Sequence, residues 1–176
     1  MKFLNAKVSF KALLWLIPCV LAVHNCEEAL TMPAWVAKNF SSIQQMIPFH
    51  VNIRFSSAQL LVSLFLATLV PFVVTILCVH GEKGSMRLNV LFILQSIILL
   101  NVFIPHIGVS AVLFRYNPGV ITAVVLNLPF SFYFFRRALK EEYMDWKKLG
   151  ILFVIALILY VPVAASLHFI GEWMVH

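Results

Sequence analysis

Charged residues are scarce in this chain of 176 residues, since only 11% are Asp, Glu, Lys or Arg while 62% are hydrophobic. Soluble domains average about 25% charged residues, so the composition excludes an ordinary soluble domain and indicates one integral membrane domain, residues 1–176. The net charge of +6 would suit nucleic acid, but the chain has no aromatic-and-basic RNA motif, Gly-rich phosphate loop or Cys-pair zinc ribbon. In membrane proteins such a balance reflects basic residues on the cytoplasmic side. We therefore predict no nucleic-acid partner.

Long apolar runs are the main structural signal. A spanning helix needs about 20 mostly apolar residues, and five runs are of roughly this length: 12–30, 58–79, 88–113, 118–135 and 149–170. They predict an all-α membrane protein, a five-transmembrane-helix bundle. Five spans place ten of the 13 basic residues on one side of the membrane. The positive-inside rule then predicts a cytoplasmic N-terminus and an outside C-terminus, and we expect a multi-pass protein of a bacterial inner membrane.

The outer connection after the first run carries a further helical pattern. Apolar residues recur at helical spacing from Met32 to Ile47, and polar residues fill the other face. Thr31 and Pro33 suit a helix cap and a first turn. The pattern predicts an outer amphipathic interfacial helix over about 33–47. This helix would either pack against the rim of the bundle or cover a site as a lid.

Ionisable side chains gather where the first run ends. His24, Glu27 and Glu28 stand at i, i+3 and i+4, so they share one helix face. Ionisable residues beside a bilayer core indicate a functional site by default. The predicted topology brings further polar residues to the same outer level: Asn101, His106, Tyr116, Asn117, His168 and Glu172.

Several of these residues have a second interpretation. His24 and the two glutamates could form a polar helix end in the headgroup region. His106 could bond a helix carbonyl. His168 and Glu172 could anchor the helix at the interface beside Trp173, and this anchoring is the favoured interpretation for that pair.

The order of the motifs resembles the HXXEE-motif family of small membrane proteins. His24-x-x-Glu27-Glu28 is followed by a histidine at His106 and by Tyr116-Asn117-Pro118-Gly119, which matches the family's Tyr-x-Pro-Gly motif. The resemblance implies that these positions matter together. It implies no activity, because the family has no established function. Order along the chain assigns the later histidine to His106 rather than to His168.

Imidazole and carboxylate groups from two helices favour a metal-dependent membrane enzyme. The predicted metal ligands are His24, Glu27, Glu28 and His106, and zinc fits them best, with iron or manganese as alternatives. Three ligands would leave a position for water, whose pKa a zinc ion lowers to about 7. Glu28, as general base or fourth ligand, and Tyr116, as a hydrogen-bond donor to an oxyanion, are the predicted catalytic residues. The expected substrate is a membrane lipid or other amphiphile, hydrolysed or transferred at the outer interface.

Two other functions stay open at this point. The protein could be a small proton- or metal-coupled transporter, although the inner halves of the helices lack the ionisable residues that such a pathway needs. It could also be a non-catalytic assembly subunit whose polar cluster serves only to specify the fold. The oligomeric state is left open.

Overall fold

The chain folds into helices throughout the part that a computed structural model describes, residues 8–46 and 56–175. We number five helices: α1 is Phe10–Met46, α2 is Ser57–Cys78, α3 is Met86–Leu113, α4 covers 120–140, and α5 is Trp146–Val175. Two helices contain a π-helical turn, at Val102–Gly108 in α3 and at Ala123–Asn127 in α4. No strand occurs within the described residues.

Within the described residues, four helices are long and apolar enough to cross a membrane: Phe10–Asn39 within α1, then α2, α3 and α5. The expected class, an all-helical integral membrane protein, is confirmed. Helix α4 is not among the four; its regular part, Leu128–Lys140, has 13 residues and carries Arg137 and Lys140 in its last turn. The fifth span and the side of the membrane on which each terminus lies stay predictions.

Helix α1 differs from the expected pair of helices. It runs without a break through Thr31 and Pro33 and has 37 residues. Thr31 does not cap a new helix, because its hydroxyl donates to the Glu27 carbonyl oxygen at 2.7 Å. At 1.5 Å per residue α1 is about 55 Å long, well beyond a hydrocarbon core of about 30 Å. Its placement on the outer surface stays a prediction, and Ile47 lies outside the described residues.

An aromatic cluster closes one end of the bundle. Phe10 at the start of α1 stacks on Tyr143 with ring centroids 3.9 Å apart, and it also contacts Phe92 and Phe134. We call these four residues the aromatic cluster. Helix α5 packs against α2 and α3, while α4 packs against α1 and α3. These contacts bring the middle of α1, the last third of α3 and the start of α4 together, about 20 Å along the helices from the cluster.

Candidate metal site

The middle of helix α1 supplies two of the side chains where α1, α3 and α4 meet. His24 and Glu28 are one turn apart, which puts them on the same helix face. His24 is 0% exposed and Glu28 is 8% exposed. The Glu28 Oε2 atom lies 3.9 Å from His24 Nε2. Both side chains therefore point into the protein at a depth where ionisable groups need partners.

The π-helical turn of α3 supplies the third side chain. Pro105 has no N–H, so the regular hydrogen-bond ladder cannot continue through it, and the Asn117 amide donates to the Pro105 carbonyl at 2.7 Å. His106 follows at 2% exposure, with Nε2 3.6 Å from Glu28 Oε1. Its ring meets the His24 ring edge-on, with centroids 4.6 Å apart.

His24, Glu28 and His106 form a group that could hold a metal ion, and we call it the metal group. Each residue offers one ligand atom, and these atoms all lie within 4.8 Å of one another. Two imidazole nitrogens and one carboxylate are a donor set found at catalytic zinc sites. The ligand atoms come from two helices, so the fold brings them together without any local sequence motif that spans all three.

Hydrogen bonds orient the His24 ring. The Thr122 hydroxyl donates to Glu27 Oε2 at 2.6 Å and lies 2.9 Å from His24 Nδ1. Because the hydroxyl hydrogen goes to the carboxylate, Thr122 accepts from His24, which places the ring proton on Nδ1. The Nε2 atom then carries a lone pair, and it is buried without a hydrogen-bond partner among the described residues. Such outer partners fix the tautomer of metal-binding histidines.

The same logic applies to His106. Its Nδ1 lies 2.9 Å from the Pro118 carbonyl oxygen, which can only accept, so this nitrogen carries the proton. Its Nε2 accepts from the Asn101 amide at 3.0 Å, and the Asn101 oxygen accepts from the Tyr160 hydroxyl at 3.1 Å. Both histidines therefore turn an unprotonated Nε2 towards Glu28.

Glu27 has a different role from its neighbour Glu28. It accepts from the Thr122 backbone N–H at 2.8 Å, from the Thr122 hydroxyl, and from the Tyr116 hydroxyl at 2.8 Å. These contacts attach α1 to the first turn of α4. Partial burial, together with the bond to the Glu27 carboxylate, raises the pKa of the Tyr116 phenol above its ordinary value.

Gly119 brings the backbone up against the metal group. Its φ of +80° is a left-handed conformation that side chains disfavour. A Cβ at this position would lie 2.7 Å from His106 Cε1 and 2.8 Å from both Glu28 Cγ and His24 Cε1. Only glycine therefore lets the turn before α4 close over these three residues.

The predicted site residues divide into three sets. His24, Glu28 and His106 come together, and Glu27, Tyr116, Asn101 and Asn117 bond to them or to the segments that hold them. His168 lies apart, 3.1 Å from the Gln59 amide of α2, and Glu172 is exposed on α5. Sequence reasoning missed Thr122 and Tyr160. Neither residue carries a local signal, because each is recognisable only through a contact with another helix.

Fold and site together define a helical integral membrane protein with a buried His–Glu–His group. The family described as "Protein of unknown function with HXXEE motif" matches residues 15–134, and the chain belongs to this family. It is also similar to an uncharacterized protein of Bacillus subtilis (strain 168), YrkK, with 19% identity over 152 residues, 86% of this chain and 90% of that protein. No solved structure matches the chain.

Proposed function

We propose that this protein is a metal-dependent membrane enzyme in which His24, Glu28 and His106 hold a zinc ion. The observation that carries the proposal is the buried His24 Nε2, which has no hydrogen-bond partner among the described residues and lies within the metal group. A buried polar atom without a partner costs free energy. A divalent cation would accept the lone pairs of both histidines and neutralise Glu28.

The arrangement favours one glutamate as ligand and the other as support. Both oxygens of Glu28 face histidine nitrogens, at 3.6 and 3.9 Å, whereas Glu27 is engaged by Thr122 and Tyr116. We assign Glu28 to the metal and Glu27 to the positioning of Thr122 and thereby of His24. We assign Tyr116 to the positioning of Glu27, since the Tyr116 hydroxyl donates to the Glu27 carboxylate.

The proposed chemistry is hydrolysis or group transfer on a membrane lipid or other amphiphile. Three protein ligands leave a coordination position for water, which a zinc ion activates. The site lies within membrane-spanning helices, where amphiphiles are the abundant substrates. We place the protein in a bacterial inner membrane with its N-terminus in the cytoplasm, in line with the basic residues of its connections.

Metal content tests the proposal directly. The protein is purified without chelators and analysed by inorganic mass spectrometry, together with His24→Ala, Glu28→Gln and His106→Ala. We expect stoichiometric zinc in the wild type and loss of it in all three variants. Matched controls are His80→Ala and Glu82→Gln, whose side chains are exposed at the end of the bundle near the aromatic cluster, and these should keep their metal.

Two results would contradict the proposal. One is a wild-type protein that takes up no stoichiometric metal even when zinc, iron and manganese are supplied. The other is metal that survives all three substitutions. The enzymatic part is tested separately, by incubating metal-loaded protein with extracted membrane lipids and analysing the products by mass spectrometry. Bound metal without any turnover would support the metal site but contradict the proposed enzymatic function.

A further inference from the structure

A cavity of about 350 Å³ lies between α1, α2, α3 and α5, next to the metal group. Ligand pockets range from about 300 to 1,000 Å³, so this cavity is large enough for a small ligand. Its volume is at the low end of that range, which suits one aliphatic chain rather than the two chains of a phospholipid.

The cavity opens onto the metal group through residues that belong to both. Glu28 is part of the metal group and also lines the cavity. Asn101 lines the cavity and donates to His106 Nε2, and Tyr160 lines it and donates to Asn101. A ligand in the cavity would therefore lie directly beside the metal ligands.

The rest of the cavity is mainly aliphatic. Leu60, Leu64 and Pro71 line it at helical spacing along α2. Leu21 and Leu94 line it on α1 and α3, seven residues before Glu28 and Asn101, which is about 10 Å further along each helix. An apolar chain would lie along these residues with its polar end at the metal group.

The charges of the lining residues indicate which polar group the ligand carries. No Lys or Arg is found among the described residues that line the cavity, and its polar lining is one carboxylate, one imidazole and uncharged side chains: Glu28, His168, Asn25, Ser63, Asn101 and Tyr160. With no metal bound, a phosphate or carboxylate headgroup would be buried beside Glu28 with no Lys or Arg in the lining to balance it, which is costly. An ester, amide or alcohol needs only neutral donors. The Asn101 amide can supply one, since its nitrogen carries a second hydrogen besides the one that bonds His106 Nε2.

We propose that this cavity binds an uncharged single-chain amphiphile, a fatty ester, amide or alcohol, with its polar group against Glu28, Asn101 and Tyr160. The inference rests on the proposed function in one respect, that the bound ligand is the substrate of the metal group. Binding itself depends on the shape and polarity of the cavity.

Photolabelling tests the inference. The full-length protein in phosphatidylcholine nanodiscs is irradiated with dodecyl acetate that carries a diazirine in its chain, and the labelled residues are mapped by mass spectrometry. We expect labels on the cavity faces of α2, α3 and α5. After the metal is removed with a chelator, excess dodecyl acetate or dodecanol should suppress the labelling, whereas dodecyl phosphate at the same concentration should not.

Phenylalanine substitutions at matched alanines, one in the cavity and one outside it, locate the binding site. Ala164 lines the cavity, and Ala111 is an exposed alanine on α3 that does not. Ala164→Phe should lower the specific labelling roughly tenfold, the scale of an overpacking penalty, and Ala111→Phe should leave it unchanged. Ala67→Phe, where the cavity is lined by α2, serves as a second filling variant if Ala164→Phe does not fold.

The results that contradict this inference differ from those that contradict the proposed function. Labels outside the cavity, equal suppression by dodecyl phosphate, or full labelling of both filling variants would overturn the inference. Zinc content measured on the same preparations before the chelator is added separates the two proposals. Bound zinc without cavity labelling contradicts only the proposal that the cavity binds an amphiphile. Cavity labelling without bound zinc contradicts only the proposal of a metal-dependent enzyme.

Discussion

The aromatic cluster and the metal group each contain fully buried rings but are held together by different forces. Phe92 and Phe134 are 0% exposed and contact each other through their rings, with centroids 5.8 Å apart. His24 and His106 are 0% and 2% exposed, and their positions depend on hydrogen bonds to α4 and the turn before it. The first region therefore depends on side-chain volume, whereas the second depends on polar partners and on one glycine.

Phe134→Ala should produce the largest loss of stability and spare the metal group. Large-to-small changes of this kind cost about 3–5 kcal/mol, and we expect the lower end because lipid tails are as apolar as the lost contacts. Thermal unfolding in detergent measures the loss. The folded fraction should keep its zinc, and loss of zinc from correctly folded protein would show that the two regions are coupled.

Gly119→Ala should disrupt the metal group next most strongly. The new Cβ would come within 2.8 Å of atoms of His24, Glu28 and His106, at a backbone φ of +80°. Overpacking of this kind costs about 1–3 kcal/mol. Zinc content should fall to background. Gly150→Ala is the matched control, because a Cβ there meets nothing within 4 Å, and this variant should keep both zinc and stability.

Thr122→Val should weaken zinc binding while leaving the fold intact. It removes the hydroxyl that bridges His24 Nδ1 and Glu27, and losing such an outer partner typically costs about 10–100-fold in metal affinity. Competition with a fluorescent chelator measures the change. Thr75→Val is the control, since the buried Thr75 hydroxyl has no hydrogen-bond partner in the described part of the chain; an equal effect there would refute the assignment.

Tyr116→Phe should have the smallest effect. It removes a hydroxyl that bonds Glu27 at 2.8 Å and Thr31 at 3.3 Å, on a side chain that is 40% exposed. A hydrogen bond of this kind contributes about 0.5–1.5 kcal/mol. Thermal unfolding should shift slightly and zinc should be retained. Complete loss of zinc from this variant would mean that Tyr116 acts on the metal group directly rather than through Glu27.

The sequence predicts the membrane class and the segments that meet at the metal group, but not how the two adjacent glutamates divide their roles. Neighbouring residues on a helix point about 100° apart, so Glu27 and Glu28 face different partners. Which of them joins the histidines depends on where α4 places Thr122, and no local pattern encodes that contact. Likewise, Thr31 and Pro33 have the composition of a helix start, yet the Thr31 hydroxyl bonds back to Glu27 and α1 continues.

The unpartnered His24 Nε2 links the stability of the fold to its ligand. A protein that binds a ligand only when folded gains about 2.7 kcal/mol at a free ligand concentration 100 times the dissociation constant. With a metal filling this position, the melting temperature would depend on free zinc and fall when a chelator is added. The amount of folded protein in a cell would then follow metal supply, so starved cells would lose the protein itself and not only its activity.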